Sequence, residues 1–375
     1  MTASDSARRV AELVERGVQV VAPEQVFVAA DVDLTRVAAG ATLHPGTRLH
    51  GARTFVAAGA HVGKEGPATL DNAVLGKNAS VASGYVRGAV LLDDAQLGFA
   101  AHVREGTLLE EQASTGHAVG LKQSILLSFA TLGSLINFCD ALIAGGTSRR
   151  DHSEIGSGFI HFNFTPWGEH GDKATPSLIG DVVDGVFLDQ PRIFLGGNSG
   201  LIGPRRVGYG SITAAGQVVR RDVGPGVLVF DPGRALDTPV RQPSTSHTQR
   251  VLGANAAYLG ELVALRAWYR HVRLGRLSGG PEASGRRIVL EEAVATLDGC
   301  LDERWARLAA FLRERGIAAP RPDLAVDAPC PIPLDAGGPE HLTWVASLPR
   351  DRRAAAAAWL RQIAQAVVAS VTALA

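Results

Sequence analysis

No excess of charge of either sign marks this chain: Lys and Arg together number 37, and so do Asp and Glu. Without a net field, the composition builds in no attraction to nucleic acid or to an anionic membrane surface. Cysteine is scarce. Cys139, Cys300 and Cys330 are far apart, odd in number and form no CxxC or Cys/His zinc spacing, which fits a reducing cytoplasm and not a disulfide framework. Long apolar runs are missing too. The amino terminus MTASDSARRVAELVERGV carries charges throughout and lacks the apolar core of a signal peptide. The AAAAAWL run near the carboxyl end falls short of the roughly 20 residues a membrane span needs. These absences predict a soluble, cytoplasmic protein with no nucleic-acid or membrane partner.

Glycine is unevenly spread. Of 43 glycines, 33 lie in residues 1–235 and 10 in the remainder. In a helix each would cost about 1 kcal/mol, so strands and turns must dominate the first part. The second part has helical spacing instead: Val251, Ala254, Leu259, Leu262 and Val263 within 248–277, then Trp305, Leu308 and Leu312 within 290–315, ending at Gly316. Proline clusters at 318–333, a linker or strap. A last helix, from about Pro349, carries Trp359, Ile363, Val367 and Val371 every four residues, a stripe suited to packing on a partner surface.

Aliphatic residues in the first part recur at intervals of six: Val37, Leu43, Leu49 and Phe55; Leu91, Leu97, Val103 and Leu109; Leu126, Leu132 and Phe138; Val207, Thr213 and Val219. A period of six is neither helical nor that of a flat strand. It suits a triangular coil of about eighteen residues per turn, with side chains stacked in columns along its axis. Such a coil is a parallel β-helix, which must stack several turns to bury a continuous core.

Four segments then carry a resemblance: RVAELVERGVQVVAPEQVFV, VREGTLLEEQASTGHAVGLKQS, GSGFIHFNF with SLIGD, and GYGSITAAGQVVRRDV. Over residues 8–230 the chain resembles the hexapeptide-repeat acyltransferases, above all the acetyltransferase half of the bifunctional N-acetylglucosamine-1-phosphate uridyltransferase/glucosamine-1-phosphate acetyltransferases. The resemblance implies a mainly β fold, a left-handed parallel β-helix followed by an α-helical carboxyl-terminal domain. The expected division is a lead-in at 1–20, the coil at 21–235 and the helices at 246–375. It also implies a homotrimer, a nucleotide sugar such as UDP-N-acetylglucosamine or a sugar phosphate as ligand, and acetyl-CoA or another acyl-CoA as donor. Nothing before Arg8 has the Gly-rich nucleotide loop of the uridyltransferase half.

By that resemblance Arg104 and Lys122, eighteen residues apart, grip phosphates, a task suited to a forked guanidinium and a point charge. Asn163 and Phe164 take the place of the family's Asn-Tyr pair. The same alignment puts Gly197 and Ala215 where small residues let a pantetheine arm lie along the coil. The departure is at the general base: the family's histidine falls on Ser134, and its tyrosine on Asn137. Without an imidazole there, a sugar amine lacks its usual proton acceptor.

Two insertions, GGTSRRDHSE and TPWGEHGDKATPS, concentrate polar groups nearby: Arg149, Arg150, Asp151, His152, Trp167, His170, Asp172 and Lys173, with His161 between them. An outward His161 near Asn163 would serve as a relocated base, oriented by Asp151 or Asp172, with His152 beside it. Lys173 would bond a phosphate or carboxylate, and Arg149 and Arg150 would form a second anion site. Charged loops are usually just solvated. Three readings stand: a transferase with a relocated base, a non-catalytic sugar-nucleotide sensor or scaffold, and an enzyme holding a metal on His152, His161 and His170. No metal is predicted, because spacings of nine and nine do not match the ligand pattern of the β-helical carbonic anhydrases and the motifs resemble the acyltransferases better.

Overall fold

The computed structural model describes residues 3–163, 173–230, 248–324 and 329–374. Helix α1 (Ala3–Glu15) closes the first turn of a coil, burying Val10 and Leu13 on its end, while the Ser6 hydroxyl accepts a hydrogen bond from the Val28 amide at 3.0 Å. The coil then winds through short parallel strands from Gln19–Val20 to Leu228–Val229. Strands are short because a glycine or a left-handed residue bends the chain every few residues. At one corner Ala118, Leu135, Gly158, Asn198 and Gly216 all adopt φ between 49° and 75°.

The coil has three faces. The first is an 11-stranded sheet from Gln19–Val20 to Leu228–Val229. The second includes Gly84–Arg87, Ala101–Val103, Ile160–Phe162 and Gly200–Ile202; the third includes Ala89–Leu91, Thr107–Leu109 and Ser177–Ile179. Two long strands, Gly120–Leu126 and Asn137–Ile143, run round the corner between these faces and join them into one 16-stranded sheet.

The six-residue columns point to the axis. Leu91, Leu97, Val103 and Leu109 are buried there, as are Leu126, Leu132 and Phe138, and Val207, Thr213 and Val219. Phe55 departs from its column: the turn at 49–56 is one residue longer, so Val56 faces the axis and Phe55 faces outward.

The helical part covers the third face. It comprises helix α2 (Val182–Gly185), helix α3 (Thr248–Ala267) continued by a π-helical turn (Trp268–Arg273), α4 (Pro281–Arg313), α5 (His341–Ser347) and α6 (Arg350–Thr372). Helix α4 starts earlier than the apolar spacing indicates, because Pro281 fits a first helical turn and the polar residues after it tolerate helix. The outward column Phe55, Val74, Val90, Leu108, Ile125, Leu142 and Leu178 merges with the apolar faces of α3 and α4 in one core. Helix α6 is long and apolar enough to cross a membrane by length and composition. Its stripe of Trp359, Ile363, Val367 and Val371 is nevertheless buried, and α6 packs on α3 so closely that a Cβ on Gly260 would lie 2.7 Å from the Ala364 carbonyl. The surface expected to receive this stripe therefore belongs to the same chain.

Polar ties fix the helices on the coil. The Tyr269 hydroxyl donates to Glu110 at 2.8 Å, the Ser128 amide donates to the same carboxylate at 3.0 Å, and Arg273 pairs with Glu110 and Glu111. Cys300 donates to the Gly106 carbonyl at 3.3 Å. Between this flank and the helices lies a cavity of about 420 Å³ where Arg286 pairs with Asp93 at 3.3 Å and Glu340 at 2.8 Å.

Candidate active site

Among the described residues no helix covers the second face, and its strands alternate. Val86, Val103, Leu121 and Phe138 point inward, so their neighbours point outward. The register Val103–Leu121 sets Arg104 opposite Lys122, and Lys122 opposes Cys139 on the next turn. Burial pushes the Cys139 thiol up and Asp140 adds to that; Arg104, which hydrogen-bonds the thiol, and Lys122 pull the other way. Two cations separated by eighteen residues thus converge on one outward strip. Beside them Gly120 leaves a notch, since a Cβ there would meet nothing nearer than Asn137 Oδ1 at 3.8 Å. Asn137 is exposed next to it, and its Oδ1 accepts from the Cys139 thiol at 3.3 Å.

The corner leading into this face repeats a two-residue pattern. Gly98, Gly116, Gly133, Gly156 and Gly196 stack so tightly that a Cβ on any of them would come within 3.0 Å of the next turn. The residues after these glycines, Phe99, His117, Ser134, Ser157 and Gly197, together with Ala215 after Ala214 on the next turn, form the outer edge, in the order set by the register of the first face. From Ser134 to Ala215 this edge carries only small side chains. Gly197 and Ala215, expected at a donor arm, therefore share one edge with Ser134.

Other expected residues lie differently. His161 does not point outward. It is 3% exposed, occupying the axial column between Phe138 and Leu201. A carbonyl can only accept, so the Nδ1 proton is donated to the Cys139 carbonyl, and Nε2 accepts from the Ser177 hydroxyl at 2.8 Å. Burial holds this ring neutral, its pKa lowered to about 4. Asn163 is half-buried and donates to Asp140. Asp151 does not meet His161 but accepts from Thr147 at 3.1 Å and pairs with Arg192 at 3.4 Å.

Nor is Arg149 a free anion ligand, because it donates to Gln112 O, Phe129 O and Thr131 Oγ1 at 2.9–3.2 Å and clamps the hairpin formed by Gly146–Ser148 and Asp151–His152 to the coil. His152 contacts the Arg149 carbonyl at 2.9 Å and Glu154 at 3.5 Å, so it and His161 do not share a metal-like cluster. Lys173 is exposed, its carbonyl accepting from Arg304 at 3.2 Å. Phe164, Trp167, His170 and Asp172 lie outside the described residues.

His117 was not singled out by sequence reasoning. The signal was available: extending the repeat by its corner positions gives Gly-Phe, Gly-His, Gly-Ser, Gly-Ser and Gly-Gly in successive turns.

A triangular parallel coil with aliphatic residues stacked at every sixth position is a hexapeptide-repeat left-handed β-helix, and this chain is a protein of that class. Among the curated proteins it is similar to are bifunctional GlmU proteins. That of Micrococcus luteus is 32% identical over 262 residues, 68% of this chain and 47% of that protein. That of Thermotoga petrophila is 29% identical over 219 residues, 58% and 43% respectively. The chain spans about half the length of the curated relatives it matches. No family model matches. Among solved structures, serine acetyltransferase isoform 3 of Entamoeba histolytica is 11% identical with TM-score 0.13, covering 46% of this chain and 38% of that one. The polySia-specific acetyltransferase NeuO is 9% identical with TM-score 0.17, covering 61% and 86%.

Proposed function

We propose that this protein is a cytoplasmic acyltransferase moving an acyl group, acetyl first among them, from acyl-CoA to a nucleotide sugar or sugar phosphate held on the open second face. The observation that carries this reading is the outward Arg104–Lys122 pair, which presents a fork and a point charge to a phosphate or diphosphate. Asn137 and the Gly120 notch would receive the sugar, with Asn163 at the margin of the same face. The edge from Ser134 to Ala215 fits a pantetheine arm because no side chain there projects beyond a hydroxymethyl group. Bound there, a thioester supplies an activated acyl carbon.

The domain limits 1–20, 21–235 and 246–375 belong to the same reading, as does a homotrimer. The helices occupy the third face, leaving the first and second for subunit contacts. The outward column of the first face supports this, since it is polar at Ser80, Gln96, Ser114 and Thr131 and then turns to exposed Phe194, Ile212 and Leu228.

Ligand-induced thermal stabilisation tests the proposal, with UDP-N-acetylglucosamine, other nucleotide sugars, sugar phosphates and acetyl-CoA. A ligand at 100 times its Kd adds about 2.7 kcal/mol. Shifts with both a sugar ligand and the thioester are expected. A shift with the sugar nucleotide alone would favour a sensor, and no shift with any would overturn the reading.

A further inference from the structure

We propose that His117 is the general base of this site, which rests on the acyl-transfer reading above. Position 117 and position 134 are the same corner position on successive turns: Thr115 opposes Leu132 on the first face, and each is followed by a glycine and then by the edge residue. Equivalent positions in stacked turns differ by one strand spacing, about 4.8 Å. An imidazole at 117 therefore has the placement of one at 134, displaced by a single turn toward Arg104. The backbone confirms the adjacency, since the His117 amide donates to the Ser134 hydroxyl at 3.2 Å.

His117 also stands where two features of the site meet. The run of small edge residues from Ala215 through Gly197 and Ser157 to Ser134 ends at its ring. Its own turn continues within five residues through the Gly120 notch to Lys122. The side chain is exposed, in contrast to His161, whose two ring nitrogens are both engaged in the axial column. His152 is held against the Arg149 carbonyl on the hairpin, and His102 stacks on Tyr85 with ring centroids 5.8 Å apart. Neither lies on the corner edge.

In the step assigned to it, the unprotonated ring nitrogen of His117 takes the proton of the attacking sugar amine as the new C–N bond to the acyl carbon forms. The C–S bond breaks, and the imidazolium returns that proton to the departing sulfur. Amine and thioester become amide and thiol, with His117 restored.

The test uses the full chain and His117→Gln. Wild type and variant are compared for acetyl-CoA turnover with amino-sugar phosphates and nucleotide-activated amino sugars as acceptors, for thermal stabilisation by UDP-N-acetylglucosamine and by CoA, and for carbethoxylation of each histidine by diethyl pyrocarbonate, read by peptide mass. The variant is expected to melt like wild type and to keep both ligand shifts. Its kcat should fall about 10²–10⁴-fold with KM little changed. In wild type, UDP-N-acetylglucosamine and CoA together should protect His117 from modification. Turnover of the variant within threefold of wild type, or His117 modified equally with and without ligands, would overturn the base assignment while leaving acyl transfer standing. Absence of wild-type turnover with every acceptor would overturn both.

Discussion

Asp140 and Arg304 form an ion pair in which both side chains are almost fully buried, joining the coil to α4, and the same carboxylate accepts the Asn163 amide. Asp140 sits at a coil corner with φ of 55°, directly after the Cys139 carbonyl that holds His161. One contact thus connects the helical layer, the axial column and the rim of the open face. Breaking a buried pair from one side strands a charge, whereas removing both charges does not. Arg304→Met should therefore lower stability by about 3–5 kcal/mol. Adding Asp140→Asn should recover most of that loss, as read by denaturant melts of the single and double variants.

The coil was legible in the sequence because its axial columns are set by a strictly local period. The one member of the aliphatic columns wrongly assigned to the axis, Phe55, follows a turn with an added residue that shifts the column by one place. What escaped was inward polarity. A histidine in a hexapeptide coil is read as an outward reagent, yet His161 fills an axial position because Cys139, one turn earlier, and Ser177, on the third face of its own turn, satisfy its nitrogens. The same limit applies to Arg149, whose three acceptors come from turns about 20 and 40 residues earlier in the chain. The stripe of α6 announced a partner but not that α3 is that partner.

Arg104 and Lys122 are expected to act unequally on ligand binding. A hydrogen bond to a charged group contributes about 1.5–3 kcal/mol, so Arg104→Ala should weaken nucleotide-sugar binding by about 10- to 100-fold in a calorimetric titration. Arg104→Lys should recover only part of this, since an ammonium cannot grip two phosphate oxygens as a fork does. Lys122→Ala should reduce affinity with a smaller loss at high salt, because a point charge is screened.

Corner glycines set how closely successive turns approach. A Cβ on Gly156 would lie 2.4 Å from the Gly197 amide nitrogen, a contact with backbone that cannot rotate away. Gly156→Ala should cost about 1–3 kcal/mol by overpacking. Gly216→Ala at the same corner meets nothing within 4 Å, and its penalty comes only from φ of 74°. Thermal melts of the two should show the former lowering Tm further.

His161 makes folding sensitive to acid. Its ring is held neutral by burial, with the pKa lowered from 6.5 to about 4. Between those values the unfolded chain binds a proton that the folded chain does not, so stability falls as the pH drops. The contribution is fully present above pH 6.5 and is lost on the way to pH 4, amounting to about 3 kcal/mol. His161→Gln has no such group to titrate, although it weakens the axial column at every pH. Unfolding free energies at pH 7 and pH 4.5 should therefore differ less in the variant than in wild type by about 2–3 kcal/mol. An equal difference in both proteins would show that other groups carry the acid response and that the ring is not held neutral.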